Sequence, residues 1–151
     1  MTTREALLTQ LGFRFGINGP HAARTMMLDD LRLLLAHTAA DAEREDYVSA
    51  VVDANVLGKA TRKARELSLR HLATLYALDT ANPIFRALRR LWALNEAAQP
   101  LLALTVALAR DPLLRGSQPF ILSLAPGAPV PRDAVEAHLS AARSEERRVG
   151  K

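Results

Sequence analysis

Apolar residues recur along this chain at helical spacing, with no strand-like alternation and no internal repeat. Leu7, Leu8, Leu11 and Phe15 mark a first amphipathic stretch that runs to the glycines Gly16 and Gly19. Pro20 stands where the first turn of a new helix tolerates it, because that N–H has no intrahelical partner. Met27, Leu31, Leu34 and Leu35 carry the pattern to about His37. A third helix is predicted over 41–55, with Tyr47, Val48, Val51 and Val52 as its core face. Glu43 and Glu45 in its opening turns suit the positive end of the helix dipole.

Asn55 and Gly58 break the pattern, both being residues that readily end a helix. A fourth helix follows over 59–78. Asn82-Pro83 then gives a cap followed by proline, and Ile84, Phe85, Leu88, Leu91 and Trp92 form the inward face of a fifth helix. Pro100 opens a sixth, apolar on every side over 101–109, which is expected at the buried centre. Short helical segments are predicted from Asp111-Pro112 to Leu114 and over 119–124. Three prolines within 125–131 make a stiff linker. A short last helix over 132–142 turns Val135, Leu139 and Ala142 inward. The fold class is therefore all-α: one compact multi-helix bundle over 1–124, then the linker and the short helix.

Composition narrows the classes. Alanine and leucine supply 53 of 151 residues, and Gly and Pro only 15. A chain of this length buries roughly two-thirds of its unfolded surface, so it needs no disulfide or metal staple. The lack of cysteine excludes zinc fingers and thiol chemistry and suits a cytoplasmic protein. The uncharged run 97–109 is too short, with Gln99 and Pro100 inside it, for the roughly 20 apolar residues a membrane span needs. The start Met1-Thr-Thr-Arg-Glu has no secretory-signal pattern. A soluble protein without membrane association is expected. Residues 143–151 abandon the Ala/Leu composition and resemble a vector- or adaptor-derived tail, so they are left out of the site reasoning.

The net charge of +4 is unevenly spread. Residues 1–58 carry five Arg against eight acids, whereas 59–90 carry eight Lys or Arg against Glu66 and Asp79. Such a local positive field attracts polyanions. On a helix starting at Lys59, the cations Lys59, Arg62, Lys63 and Arg70 share an arc of about 100°, opposite Leu69, Leu72, Leu75 and Tyr76. Glu66 lies among them, within pairing reach of Arg62, Lys63 or Arg70. Arg65 breaks the pattern and either lies past the core edge or is buried against a carboxylate.

Arg86, Arg89 and Arg90 form a second basic set on the next helix, joined by a short turn and expected alongside the first. A solvated face with an internal ion pair explains such a run as well as phosphate binding does. Phosphate contacts would give affinity that falls steeply with salt. Asn55, Lys59, Thr61 and Arg62 make the densest polar constellation. Within it, Asn55 serves equally as a structural cap, and Thr61 is better read as a helix cap than as a ligand.

A catalytic reading finds little. His21, His37, His71 and His138 fall on separate elements with no metal-ligand spacing. Nucleophile-elbow, Walker, zincin and dinucleotide motifs are absent from the sequence. Asp29-Asp30 and Glu45-Asp46 are adjacent pairs that diverge on a helix. No enzyme activity and no cofactor are expected.

Several words in the chain resemble the BrxA family. They include 51–63, reading Val-Val-Asp-Ala-Asn-Val-Leu-Gly-Lys-Ala-Thr-Arg-Lys, with Arg70-His-Leu and Leu75-Tyr-Ala-Leu-Asp79 after it. Phe85-Arg-Ala-Leu-Arg-Arg-Leu-Trp92 and Ala109-Arg-Asp-Pro-Leu-Leu-Arg115 belong to the same resemblance, which spans about 4–142. BrxA proteins are small helical components of BREX bacteriophage-defence systems. The resemblance implies a NusB-like helical fold, DNA binding (or RNA binding in the NusB manner) and association with other BREX proteins. Family members usually continue past this chain's end, which suggests a C-terminal truncation. The nucleic-acid contacts nominated are Asn55, Lys59, Thr61, Arg62, Lys63, Arg70, Arg86, Arg89 and Arg90. The alternative is an interaction adaptor whose basic face meets an acidic protein.

Overall fold

The computed structural model describes residues 2–16 and 25–149, apart from the side chains of 142, 143 and 145–149. Among the described residues the chain forms eight α-helices and no strand. Helix α1, Thr3–Leu11, starts with a capping box between Thr2 and Glu5. It stops earlier than the apolar spacing implies, because Gly12 takes φ 108° and donates its N–H to the carbonyls of Leu8 and Thr9. A Cβ at Gly12 would collide with Asn82 Oδ1 and Ile84 Cγ2, so the glycine also permits close approach to the next basic helix. The helix start expected at Pro20 lies outside the described residues.

Helix α2, Leu28–His37, buries Leu31, Leu34 and Leu35. The third predicted helix is two pieces, α3 over Arg44–Val48 and a π-helical turn over Ser49–Asp53. Tyr47, Val51 and Val52 face the core as expected, but Val48 is exposed. Asn55 (φ 53°) and Gly58 (φ 63°) make the break after it. Helix α4 spans Arg62–Tyr76 and starts three residues later than expected, since the Thr61 hydroxyl accepts the Ala64 N–H at 3.1 Å and sets the cap. Helix α5, Pro83–Trp92, opens on the Asn82 cap and buries Phe85, Leu88, Arg89 and Trp92, leaving Leu91 outside.

Helix α6, Gln99–Arg110, is central but not wholly buried. It packs against α4, α5 and α7. Its inward face consists of Ala103, Val106, Ala107 and Ala109, whose small side chains admit close neighbours, while Leu101 is 66% exposed. The two short segments expected after Asp111 are one helix, α7, Pro112–Ser123, which runs through Pro119. Asp111 is fully buried and caps it by accepting the N–H groups of Leu113 and Leu114 at 2.8 and 3.0 Å. Residues 125–131 are irregular, as the prolines require. Helix α8, Arg132–Val149, packs on α7 and continues past 142, over residues whose Arg, Ser and Glu composition tolerates helix. No helix among the described residues is long and apolar enough to cross a membrane.

Arginines at helix ends knit these elements together. Arg65 donates to the Val52 carbonyl at 3.0 Å and the Lys59 carbonyl at 3.4 Å, neither a carboxylate partner nor a place beyond the core edge. Arg110 donates to the carbonyls of Gly12, Thr74 and Ala73 at 2.7, 3.0 and 3.4 Å, closing the ends of α1 and α4. Arg115 donates to the carbonyls of Leu108, Ala109 and Arg14 and lies 5.2 Å from the centre of the Phe15 ring. Each guanidinium donates to backbone carbonyls of separate segments, at helix ends or in the turns beside them.

Candidate nucleic-acid interface

The nine nominated residues divide into those the fold consumes and those it leaves at the surface. Asn55 is consumed: its Oδ1 accepts the Lys59 N–H at 2.8 Å, closing the turn its left-handed backbone makes. Thr61 is consumed as the α4 cap. Lys59 lies ahead of α4, and its Nζ pairs with Asp30 Oδ1 at 2.8 Å, the two side chains being 31% and 17% exposed. Half-buried and neutralised, this lysine joins the break to α2.

Arg89 is corrected most sharply. It is 8% exposed, and its guanidinium donates to the carbonyls of Leu35 (3.1 Å) and Thr38 (2.9 Å) at the end of α2. Its position relative to Phe85, Leu88 and Trp92 puts it on the apolar face of α5, where a cation meets carbonyls instead of solvent. The Tyr47 hydroxyl, also fully buried, feels the charge of Arg89, but burial outweighs it and pushes the phenol above its ordinary value.

Arg62, Lys63 and Arg70 remain exposed on α4. Arg62 shares its charge with Glu66 at 3.1 Å and Asp53 at 3.8 Å. Among the described residues Lys63 and Arg70 form no ion pair. Arg86 and Arg90 are exposed on α5, with Arg86 donating to the Thr80 carbonyl at 3.2 Å. The two sets do not converge on one hollow. Arg86 and Arg90 line a depression of about 400 Å³ beside Asp41. Arg70 lines another, of about 610 Å³. Helices α4 and α5 both pack on α6.

The larger hollow contains what sequence reasoning missed. Arg14, from the segment after α1, Arg44 on α3 and Arg110 on α6 line it together with Arg70, Glu66 and Asp79. These four arginines are separated by dozens of residues, and only the packing of α1, α3, α4 and α6 unites them. A signal existed for Arg110, which follows Ala103, Val106 and Ala107 on the inward stripe. Burial, reinforced by the charge of Arg14, pulls Arg110 from the usual arginine value down to about 10.

Among the described residues no group of three or more His, Asp or Glu is placed to hold a metal ion. The chain matches no family model, no curated protein and no solved structure.

Proposed function

We propose that this chain is a non-catalytic DNA-binding component of a BREX-type phage-defence system, similar to BrxA proteins and NusB-like in its helical arrangement. Its binding element is the outer face of α4, where Arg62, Lys63 and Arg70 touch backbone phosphates. The observation carrying the reading is that Lys63 and Arg70 are exposed on one helix without ion pairs among the described residues. Cations left unneutralised by their own fold are available to a polyanion, and releasing its counterions drives association. Phosphate contacts position the protein without reading bases, so sequence preference is weak. Seven aromatic residues, with Tyr47, Tyr76, Phe85 and Trp92 buried, leave few rings for stacking single strands.

A gel-shift comparison tests this. Exchanging Lys63 and Arg70 for alanine weakens retention of a duplex about tenfold or more, and a K59A variant that stays folded does not. Equal retention by wild type and K63A/R70A would refute the reading. Duplex, single-strand and RNA competitors rank the preferred nucleic acid.

A protein-adaptor role has its own support. Leu94 and Leu101, 76% and 66% exposed, flank the turn between α5 and α6, with Leu91 exposed beside them. Apolar surface of this kind commonly meets a protein partner. A pull-down that survives nuclease and fails with L94E/L101E would favour it.

A further inference from the structure

The side chains of Arg14 and Arg44, which line a cleft with Arg70 and Arg110, have no part in the clamps of the fold or in the outer face of α4. The volume of the cleft, about 610 Å³, lies in the range of small-molecule sites. The residues that line it include four arginines and two carboxylates, and one of those, Glu66, is already engaged by Arg62 at 3.1 Å. The cleft is therefore built with an excess of positive charge in a concave place, where low-dielectric walls strengthen its field.

Arg44 and Arg110 are held there at a cost, and Arg14 is held in place. Arg44 occupies the first position of α3, the end of a helix where the dipole disfavours a cation, and among the described residues no ion pair offsets it. Arg14 has its backbone fixed from both sides, its N–H donating to the Ala109 carbonyl at 3.1 Å and its carbonyl accepting from Arg115 at 2.7 Å, while the residue stays exposed. Arg110 is braced on three carbonyls with the charge of Arg14 pressing on it. The wall between them is strained: Ala77 at φ 74° and Leu78 at φ 51° are consecutive residues other than glycine in the left-handed region. Such outliers are unfavourable and gather at binding sites. Repelling cations on a strained and fixed frame is the arrangement expected of a site whose missing element is an anion.

The geometry points to a small phosphate ester as the ligand of this cleft, its phosphate held by Arg14, Arg44 and Arg70 and its organic part against Val48, Leu69 and Leu78. Guanidinium forks match phosphate oxygens in pairs, which favours phosphate over a smaller halide. The apolar wall favours an ester over the free ion. Arg110 acts from behind, as the fixed charge that orients the other three. The inference stands apart from DNA binding by the outer face of α4, sharing only Arg70 with it.

Isothermal titration of the full chain at constant ionic strength tests it, with adenosine 5′-monophosphate and inorganic phosphate as probes. Adenosine monophosphate binds at one site, at least tenfold more tightly than inorganic phosphate. R14A and R44A each weaken it about tenfold or more, and K63A, outside the cleft, leaves it unchanged. Circular dichroism confirms that the variants are folded; R14K and R44K, which keep the charge without the fork, should retain part of the affinity. No binding of either probe would overturn the assignment, as would equal weakening by K63A, which signals general charge attraction. Inorganic phosphate binding as tightly as the nucleotide would overturn the ester. Failure of duplex binding with nucleotide binding intact would remove the DNA reading alone.

Discussion

At the scale of the residue, chemical type decides less than the face a residue occupies. Arg86, Arg89 and Arg90 are three arginines within five positions, yet one is an internal clamp and two are surface cations. R89A should lower stability by about 2–4 kcal/mol, because it strips donors from two carbonyls at the end of α2. R89K should recover only part, since an ammonium cannot span both carbonyls as the fork does. R86A and R90A should change stability by less than about 0.5 kcal/mol. Denaturant midpoints of the four variants check this, and equal midpoints for R89A and R90A would contradict the clamp. The distinction was legible in the apolar register 85, 88, 89, 92, which outranks the basic triplet as a guide. Lys59 was not legible in that way. Its partner Asp30 lies 29 residues upstream, and only the docking of α2 beside the break brings them together.

At the scale of the element, the starts of α5 and α7 were readable from their caps, whereas α3 and α4 each begin three residues later than the apolar pattern implies. Asn82-Pro83 and Asp111-Pro112 announce α5 and α7, because a side-chain acceptor and a residue without N–H meet the same local need. The continuity of α7 through Pro119 escaped, as did the π-helical turn after α3, since both depend on packing that no local residue signals. D111A removes two cap hydrogen bonds from a fully buried site and should cost about 1–2 kcal/mol or more, with D111N costing less. Helix α8 packs on α7, so D111A should also raise amide exchange across both helices ahead of α2 and α4. Uniform exchange throughout would show that the cap supports no distinct unit.

At the scale of the whole molecule, the all-α class and most of the core were legible, because the apolar stripes sum to one cluster around α6. The gathering of Arg14, Arg44, Arg70 and Arg110 was not, because it is a product of tertiary packing. The core makes an alkaline prediction. Tyr47 and Tyr76, the only tyrosines, are both fully buried, and burial pushes both phenols above their ordinary value near 10. Groups raised in the fold stabilise it fully below pH 10, and that contribution is lost as pH climbs toward their folded values. Phenolate absorbance should therefore appear together with loss of helical circular dichroism, and phenolate formation near pH 10 in an intact fold would contradict the burial.

The central claim, that exposed cations of α4 hold phosphates, is tested most directly by the salt dependence of duplex affinity. Each phosphate contact contributes about 0.9 to the slope of log K against log salt, so K63A/R70A should flatten the slope by about 2. A slope unchanged in that variant, or a wild-type affinity indifferent to salt, would contradict the account.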